Sequence, residues 1–138
     1  MKYNKILILL IISIVLLTGC SEDTYELERN LYYDMEDINR YGSEFLDAMI
    51  LAVGKREYNT QALIEPLDKM EAKLTNLTPP KHLKDEVVEW QDEIEEMIAL
   101  FRLMSDGNLT VLDKINSDAI DFGRARIYDG FKEYGWKK

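Results

Sequence analysis

Two side chains in this sequence are singular, Cys20 and His82, and between them they bound the covalent and acid–base chemistry open to the chain. Cys20 has no second thiol with which to form an internal disulfide. As a thiolate it is a natural nucleophile for taking up an alkyl group. His82 follows Pro79-Pro80-Lys81 and precedes Leu83, in the first turn of an expected helix. That setting suits a structural or solvent-facing role better than a general base or a metal ligand. Di-iron helical bundles need Glu-x-x-His pairs on two helices, and Pro79 occupies the position three before His82. The acids Asp85, Glu86, Glu89, Asp92, Glu93, Glu95 and Glu96 are dense enough to attract divalent cations. They follow no calcium-loop spacing and share a helix with an apolar stripe, so a solvated face is the expectation. No Gly-rich phosphate loop, nucleophile elbow or Cys/His cluster occurs. The sequence therefore predicts no catalytic residue, no metal site and no cofactor. Aromatic residues offer the remaining candidate: Tyr25, Tyr32, Phe131, Tyr134 and Trp136 would meet if the first and last helices brought the two chain ends together, and Tyr and Trp are enriched in binding patches.

Cys20 is positioned by what precedes it. Ile6 to Leu17 is apolar but for Ser13, Lys2 and Lys5 stand before it, and no acid occurs before Glu22. A basic start, a short apolar run and a small-residue exit make a secretory signal peptide. The run is shorter than the roughly 20 residues a membrane-spanning helix needs. Leu17-Thr18-Gly19-Cys20 resembles the lipobox of bacterial lipoproteins: an aliphatic residue, a small residue, Gly or Ala, then Cys. The resemblance implies a diacylglyceryl group on the Cys20 sulfur and cleavage between Gly19 and Cys20. Residues 1–19 are then a removed signal peptide, 20–24 the lipidated N-terminus and tether, and 25–138 the helical domain. The implied address is the extracytoplasmic face of a bacterial cell membrane, since two acyl chains hold a protein stably on a bilayer.

Beyond residue 19 the chain keeps all 26 acids and 15 of its 17 bases, a net charge of −11. Nucleic acid is excluded as a partner by that charge. Anionic lipid is equally unsuited to lie against the domain itself, because juxtamembrane binding uses Lys and Arg clusters.

Strand signals are weak and four helical stretches stand out. Leu27, Leu31, Met35, Ile38, Phe45, Met49 and Ala52, with Gly42 in the gap, form one stripe between Asp23 and Glu57. Glu28, Asp34, Asp37, Arg40, Glu44 and Asp47 are read as its polar side, and Gly54 as the mark of its end. Leu63, Leu67, Met70, Leu74 and Leu77 repeat the pattern over 61–77. Pro66 there either opens a helix beginning near Glu65 or kinks a longer one. After Pro79-Pro80, the stripe Leu83, Val87, Trp90, Ile94, Met97, Phe101 and Met104 alternates steps of four and three, the seam of a helix packed at a shallow angle. "SDGN" (105–108) reads as a turn. A last helix is expected over 109–134, with Leu112, Ile115, Ala119, Phe122 and Arg126 on one stripe and Ile120, Ile127, Phe131 and Tyr134 drifting off it.

These features predict an all-α protein, a four-helix antiparallel bundle following an N-terminal lipoprotein signal peptide. Leu74-Thr75-Asn76-Leu77-Thr78-Pro79-Pro80 is similar to the Leu-x-x-Leu-x-Pro-Pro hinge of small helical lipoproteins of Gram-positive bacteria. That resemblance implies an envelope address and no activity. The expected function is non-enzymatic binding of another envelope protein or wall component by a lipid-anchored domain. One alternative is a small-ligand carrier, with Met35, Met49, Met70, Met97 and Met104 lining a cavity inside the bundle. Another is a phage- or plasmid-exclusion lipoprotein.

Overall fold

The computed structural model describes residues 24–131 with their side chains and carries the backbone of the first helix from Lys2. The expected signal peptide, Gly19 and Cys20, and at the other end Tyr134 and Trp136, lie outside the residues so described. The fold is all-α: α1 (Lys2–Lys55), α2 (Gln61–Thr75), α3 (Lys84–Ser105) and α4 (Ser117–Gly130), with 3₁₀ turns at Lys81–Leu83 and Leu109–Lys114. Among the described residues there is no strand, and no helix is long and apolar enough to cross a membrane.

α1 forms as its stripe requires. Leu31, Met35, Ile38, Phe45, Met49 and Ala52 are all buried, and Gly42 lies among them. The end comes after Gly54, at Arg56, which adopts φ 58°. The Glu57 amide then donates to the Ala52 carbonyl at 3.1 Å, closing a Schellman-type terminus. α2 begins at Gln61, so Pro66 lies inside the helix and is buried. Its missing N–H would have bonded the carbonyl of Ala62, an exposed residue. α3 buries Val87, Trp90, Ile94, Phe101 and Met104 as the heptad predicts. Ile98 is buried too, while Met97 is only half-buried. A straight helix advances 3.6 residues per turn, so a strict heptad seam drifts across its face. α3 ends in the expected turn, with Gly107 at φ 89° and the Asn108 amide on the Leu103 carbonyl at 3.0 Å.

The last expected helix is two segments, and its inward stripe is a different one. Leu112 is 52% and Phe122 67% exposed, whereas Val111, Ile127 and Phe131 are buried. Two asparagines cause the change. Asn108 Oδ1 accepts from the Thr110 amide at 3.2 Å and starts the 3₁₀ turn. Asn116 Oδ1 accepts from the Ala119 amide at 3.2 Å and caps α4. Each cap resets the helical phase, so spacing counted across Asn116 predicts the wrong face. α4 then meets α3 and the turn before it closely: a Cβ at Gly130 would stand 2.3 Å from Leu83 Cδ2 of that turn, and one at Gly123 2.9 Å from Glu93 Oε2 of α3.

α1 lies against α2, α2 against α3 and α3 against α4. Phe45 of α1 stacks on Phe101 of α3 with ring centres 4.6 Å apart, at the middle of a single core. Lys73 of α2 bridges Asp34 at 2.7 Å and Asp37 at 3.1 Å on α1. Gln91 of α3 donates to the Leu74 carbonyl at 2.9 Å, which also accepts from the Leu77 amide at 3.4 Å at the end of α2.

Candidate functional site

At the end of the domain where α1 enters, α1 and α4 assemble an aromatic cluster. Tyr32 lies 5.5 Å from Tyr33, 5.5 Å from Tyr128 and 6.4 Å from Phe131, ring centre to ring centre. The structure thus brings together Tyr32 and Phe131 of the sequence-predicted patch and adds Tyr128, which sequence reading missed. Tyr25 sits two turns earlier on α1 with the Arg29 guanidinium over its ring at 5.8 Å. The Tyr128 hydroxyl donates to Glu36 Oε1. Burial first, and the Glu36 carboxylate second, push the Tyr128 phenol well above its ordinary range. Burial, then Glu36, raises Tyr32 as well.

Beside this cluster His82 Nε2 stands 3.0 Å from Glu28 Oε1. The His82 side chain is 43% exposed, but that of Glu28 is fully buried. Glu28 is therefore not on the polar side of α1, as its charge suggested. The signal was in the spacing: Glu28 lies three residues before Leu31 and seven before Met35, on the stripe itself. His82, in the turn before α3, is thus half open to solvent and half against α1.

The acids of α3 divide in the same way. Glu89 pairs with Arg126 of α4 at 3.0 Å across the surface. Glu93 Oε2 is buried beside Gly123 with no hydrogen-bond partner. Among the described residues no three acidic, histidine or cysteine groups converge as a metal ion would need.

Two concave features run along the exposed side of α1. The first is a cleft of about 190 Å³ between α1, α3 and α4. Trp90, Ile94 and Phe101 line it, and Asn39, Ser43, Leu46, Ser117 and Asp121 are the exposed residues around it. The Arg124 guanidinium and the Asp121 carboxylate, 3.0 Å apart, belong to the same wall. The second is an apolar groove at the far end of the domain, where Leu46, Met49, Ile50 and Val53 of α1 face Met104, Leu109 and Leu112. Ile50 is 71%, Leu112 52%, Leu46 44% and Val53 42% exposed. Sequence reading passed over this groove. Its trace was "AMILAV" (48–53), which holds more apolar residues than one helical stripe can bury. The methionines expected around an internal cavity are dispersed. Met70 and Met97 line the cleft, Met49 and Met104 line the groove, and Met35 is sealed in the core.

Comparison with protein-family models, with curated proteins and with solved structures finds no match for this chain.

Proposed function

We propose that this chain is a bacterial lipoprotein: a lipid-anchored, non-enzymatic antiparallel four-helix bundle that binds another envelope component through its apolar groove. The observation that carries the binding role is the groove itself, with Leu46, Ile50, Val53 and Leu112 held open to solvent in a domain otherwise dense in acids. Contiguous exposed apolar surface rimmed by polar residues marks interaction sites. A groove at the far end of α1 suits a tethered protein. From Thr24 to Ile50 is about 40 Å along the helix axis, so an anchor at Cys20 holds the groove out toward neighbouring proteins and the wall. The lipid attachment itself is supported by Leu17-Thr18-Gly19-Cys20 directly after the apolar run.

The antiparallel order is supported by the succession of contacts. Asp34 meets Lys73 while Gly42 faces Met70. Leu74 meets Gln91 while Asp68 meets Arg102 at 3.0 Å. Leu83 meets Gly130 while Glu89 meets Arg126. In each pair one helix ascends as the next descends.

Metabolic labelling with palmitate tests the anchor. The wild type takes up label and fractionates with membranes, and Cys20→Ser does neither; an unlabelled wild type overturns it. Photo-crosslinking in cells tests the groove. A crosslinker at position 50 yields one dominant adduct, lost in the Cys20→Ser strain, that a crosslinker at the exposed Glu96 does not yield. Equal adducts from both positions would remove the groove from the interface.

A further inference from the structure

We propose that the groove at the far end of α1 holds a cationic amphipathic α-helix of a partner protein, with two turns of its apolar stripe seated between α1 and the 3₁₀ turn and its lysines or arginines beside Asp47 and Asp113. This inference rests on the reading of the groove as the binding surface and adds what occupies it. Shape comes first. Among the described residues α4 begins only at Ser117, so no helix covers Leu46, Ile50 and Val53, which stay exposed. They span about 10 Å of α1, two helical turns. Their spacing of four and three matches the i, i+4, i+7 anchors of a helix laid in a groove. Backbone chemistry comes second. Every side chain lining the groove is Leu, Ile, Val or Met. An extended peptide would bring N–H and C=O groups against a wall with no side chain to pair them, whereas a helix pairs its own. Met49 and Met104 let such a wall adapt to the partner's side chains.

Charge sets the partner's sign. On α1 the outer edge of the groove is Ser43, Asp47, Ile50 and Gly54, spaced four, three and four and all exposed. In the 3₁₀ turn, residues three apart share a face. Leu109 and Leu112 line the groove, and Thr110 and Asp113, both exposed, form the face beside it. Each wall therefore carries an acid. Lys55 comes nine residues after Leu46, on the opposite side of α1, and Lys114 shares the face of the buried Val111. With a net charge of −11 beyond residue 19, the protein's field also favours cationic flanks. The same acids act against other occupants. A second copy would bring its own Asp47 and Asp113 to the interface, and a fatty acid or an anionic lipid would bring a negative headgroup.

The test uses the full chain in phosphatidylcholine nanodiscs, with empty discs as the blank. The probes are fluorescent synthetic peptides of about 15 residues, a length at which an isolated helix can form. Three share one leucine stripe at helical period and differ in their flanking residues: lysine, glutamine or glutamate. A fourth keeps the stripe and the lysines but carries two prolines that break the helix. Anisotropy titrations read the affinities. The lysine peptide is expected to bind saturably and about fivefold more tightly than the glutamine peptide, what two exposed ion pairs supply together. The glutamate peptide should bind more weakly than either, and the proline peptide at least tenfold more weakly than its helical parent. Ile50→Ser with Leu112→Ser should weaken the lysine peptide more than tenfold. Asp47→Asn with Asp113→Asn should make the lysine and glutamine peptides bind alike, while Glu95→Gln with Glu96→Gln, an equal change of charge at exposed positions of α3, should leave their difference in place. Equal affinity for the lysine and glutamine peptides in the wild type, binding that survives the two serines, undiminished binding of the proline peptide, or a position-50 adduct in cells that is a lipid or a second copy overturns the proposal. One position-50 protein adduct in cells without binding of the lysine peptide overturns the cationic helix and leaves the groove as the binding surface. Equal adducts at positions 50 and 96 remove the groove and this proposal together.

Discussion

The two ends of the domain are finished in opposite ways. At the end where α1 enters, α4 lays Tyr128 and Phe131 against Tyr32, the Tyr128 hydroxyl reaches Glu36, and His82 closes over Glu28. Apolar surface is covered there. At the other end the chain reversals are tied together, with the Asn59 amide on the Ser105 carbonyl at 2.7 Å and the Tyr58 ring against Gly107. Yet beside them Ile50, Val53 and Leu112 stay in solvent. The cause is the late start of α4. Residues 109–114 form a 3₁₀ turn, so α4 begins only at Ser117 and does not cover α1 from Leu46 to Val53. The same caps that complete one end leave the other open, which teaches that the groove follows from where α4 starts and not from any lack of apolar residues.

That contrast can be broken most strongly at Phe131, which is 4% exposed. Phe131→Ala should cost about 3–5 kcal/mol, the usual penalty for emptying a buried aromatic site. Urea denaturation measures it. A cost below about 1 kcal/mol would mean that α4 does not seal the entry end in solution.

His82→Ala comes next. It removes the imidazole 3.0 Å from a buried carboxylate and should cost about 1 kcal/mol, the upper end for a pair whose imidazole is partly exposed. Thermal melts at neutral pH report the loss. No change would leave His82 a surface residue with no hold on Glu28.

Tyr128 gives a pH signature. Its phenol is raised above the ordinary value of 10.0 by burial and by the Glu36 carboxylate. The native state therefore holds this proton more tightly than the unfolded chain. The stability it contributes is fully present below about pH 10 and declines as the pH rises beyond that. Tyr128→Phe should cost about 1 kcal/mol at pH 8 and should flatten the decline between pH 10 and 11. Paired denaturation curves at the two pH values separate this proton from the lysines, which titrate in both proteins. A slope unchanged by Tyr128→Phe would detach Tyr128 from the alkaline transition.

Much of the architecture was legible before the structure. The stripes of α1, α2 and α3 are regular, and a regular stripe with turn residues at its ends has few other solutions. What was misread has local causes. Glu28 was assigned by its charge when its position, seven before Met35, already put it inside. Arg56 ends α1 in a left-handed conformation that a glycine-based rule does not anticipate. The face of α4 was misassigned because Asn108 and Asn116 act as caps, and a spacing argument carried across a cap counts turns that are not there. The groove and the cleft were hidden for a related reason. Both depend on where α4 begins relative to α1, a distance between helices that no single helix encodes.

The smallest effect on stability belongs to the open end, and it sharpens the comparison most. Ile50 and Leu112 stand on opposite walls of the groove, 71% and 52% exposed. A side chain already in water loses little on becoming polar, so Ile50→Ser with Leu112→Ser should shift stability by about 0.5 kcal/mol or less. It should also lower nonspecific association, because two apolar anchors leave the surface. Urea denaturation of the double variant beside Phe131→Ala places both ends on one scale. A loss above about 2 kcal/mol would mean that these side chains are packed in solution and that the groove closes on itself. A negligible loss, together with disappearance of the position-50 crosslink, would mean that their exposure is maintained for a partner, since nothing in the isolated fold then requires Ile50 or Leu112 to be apolar.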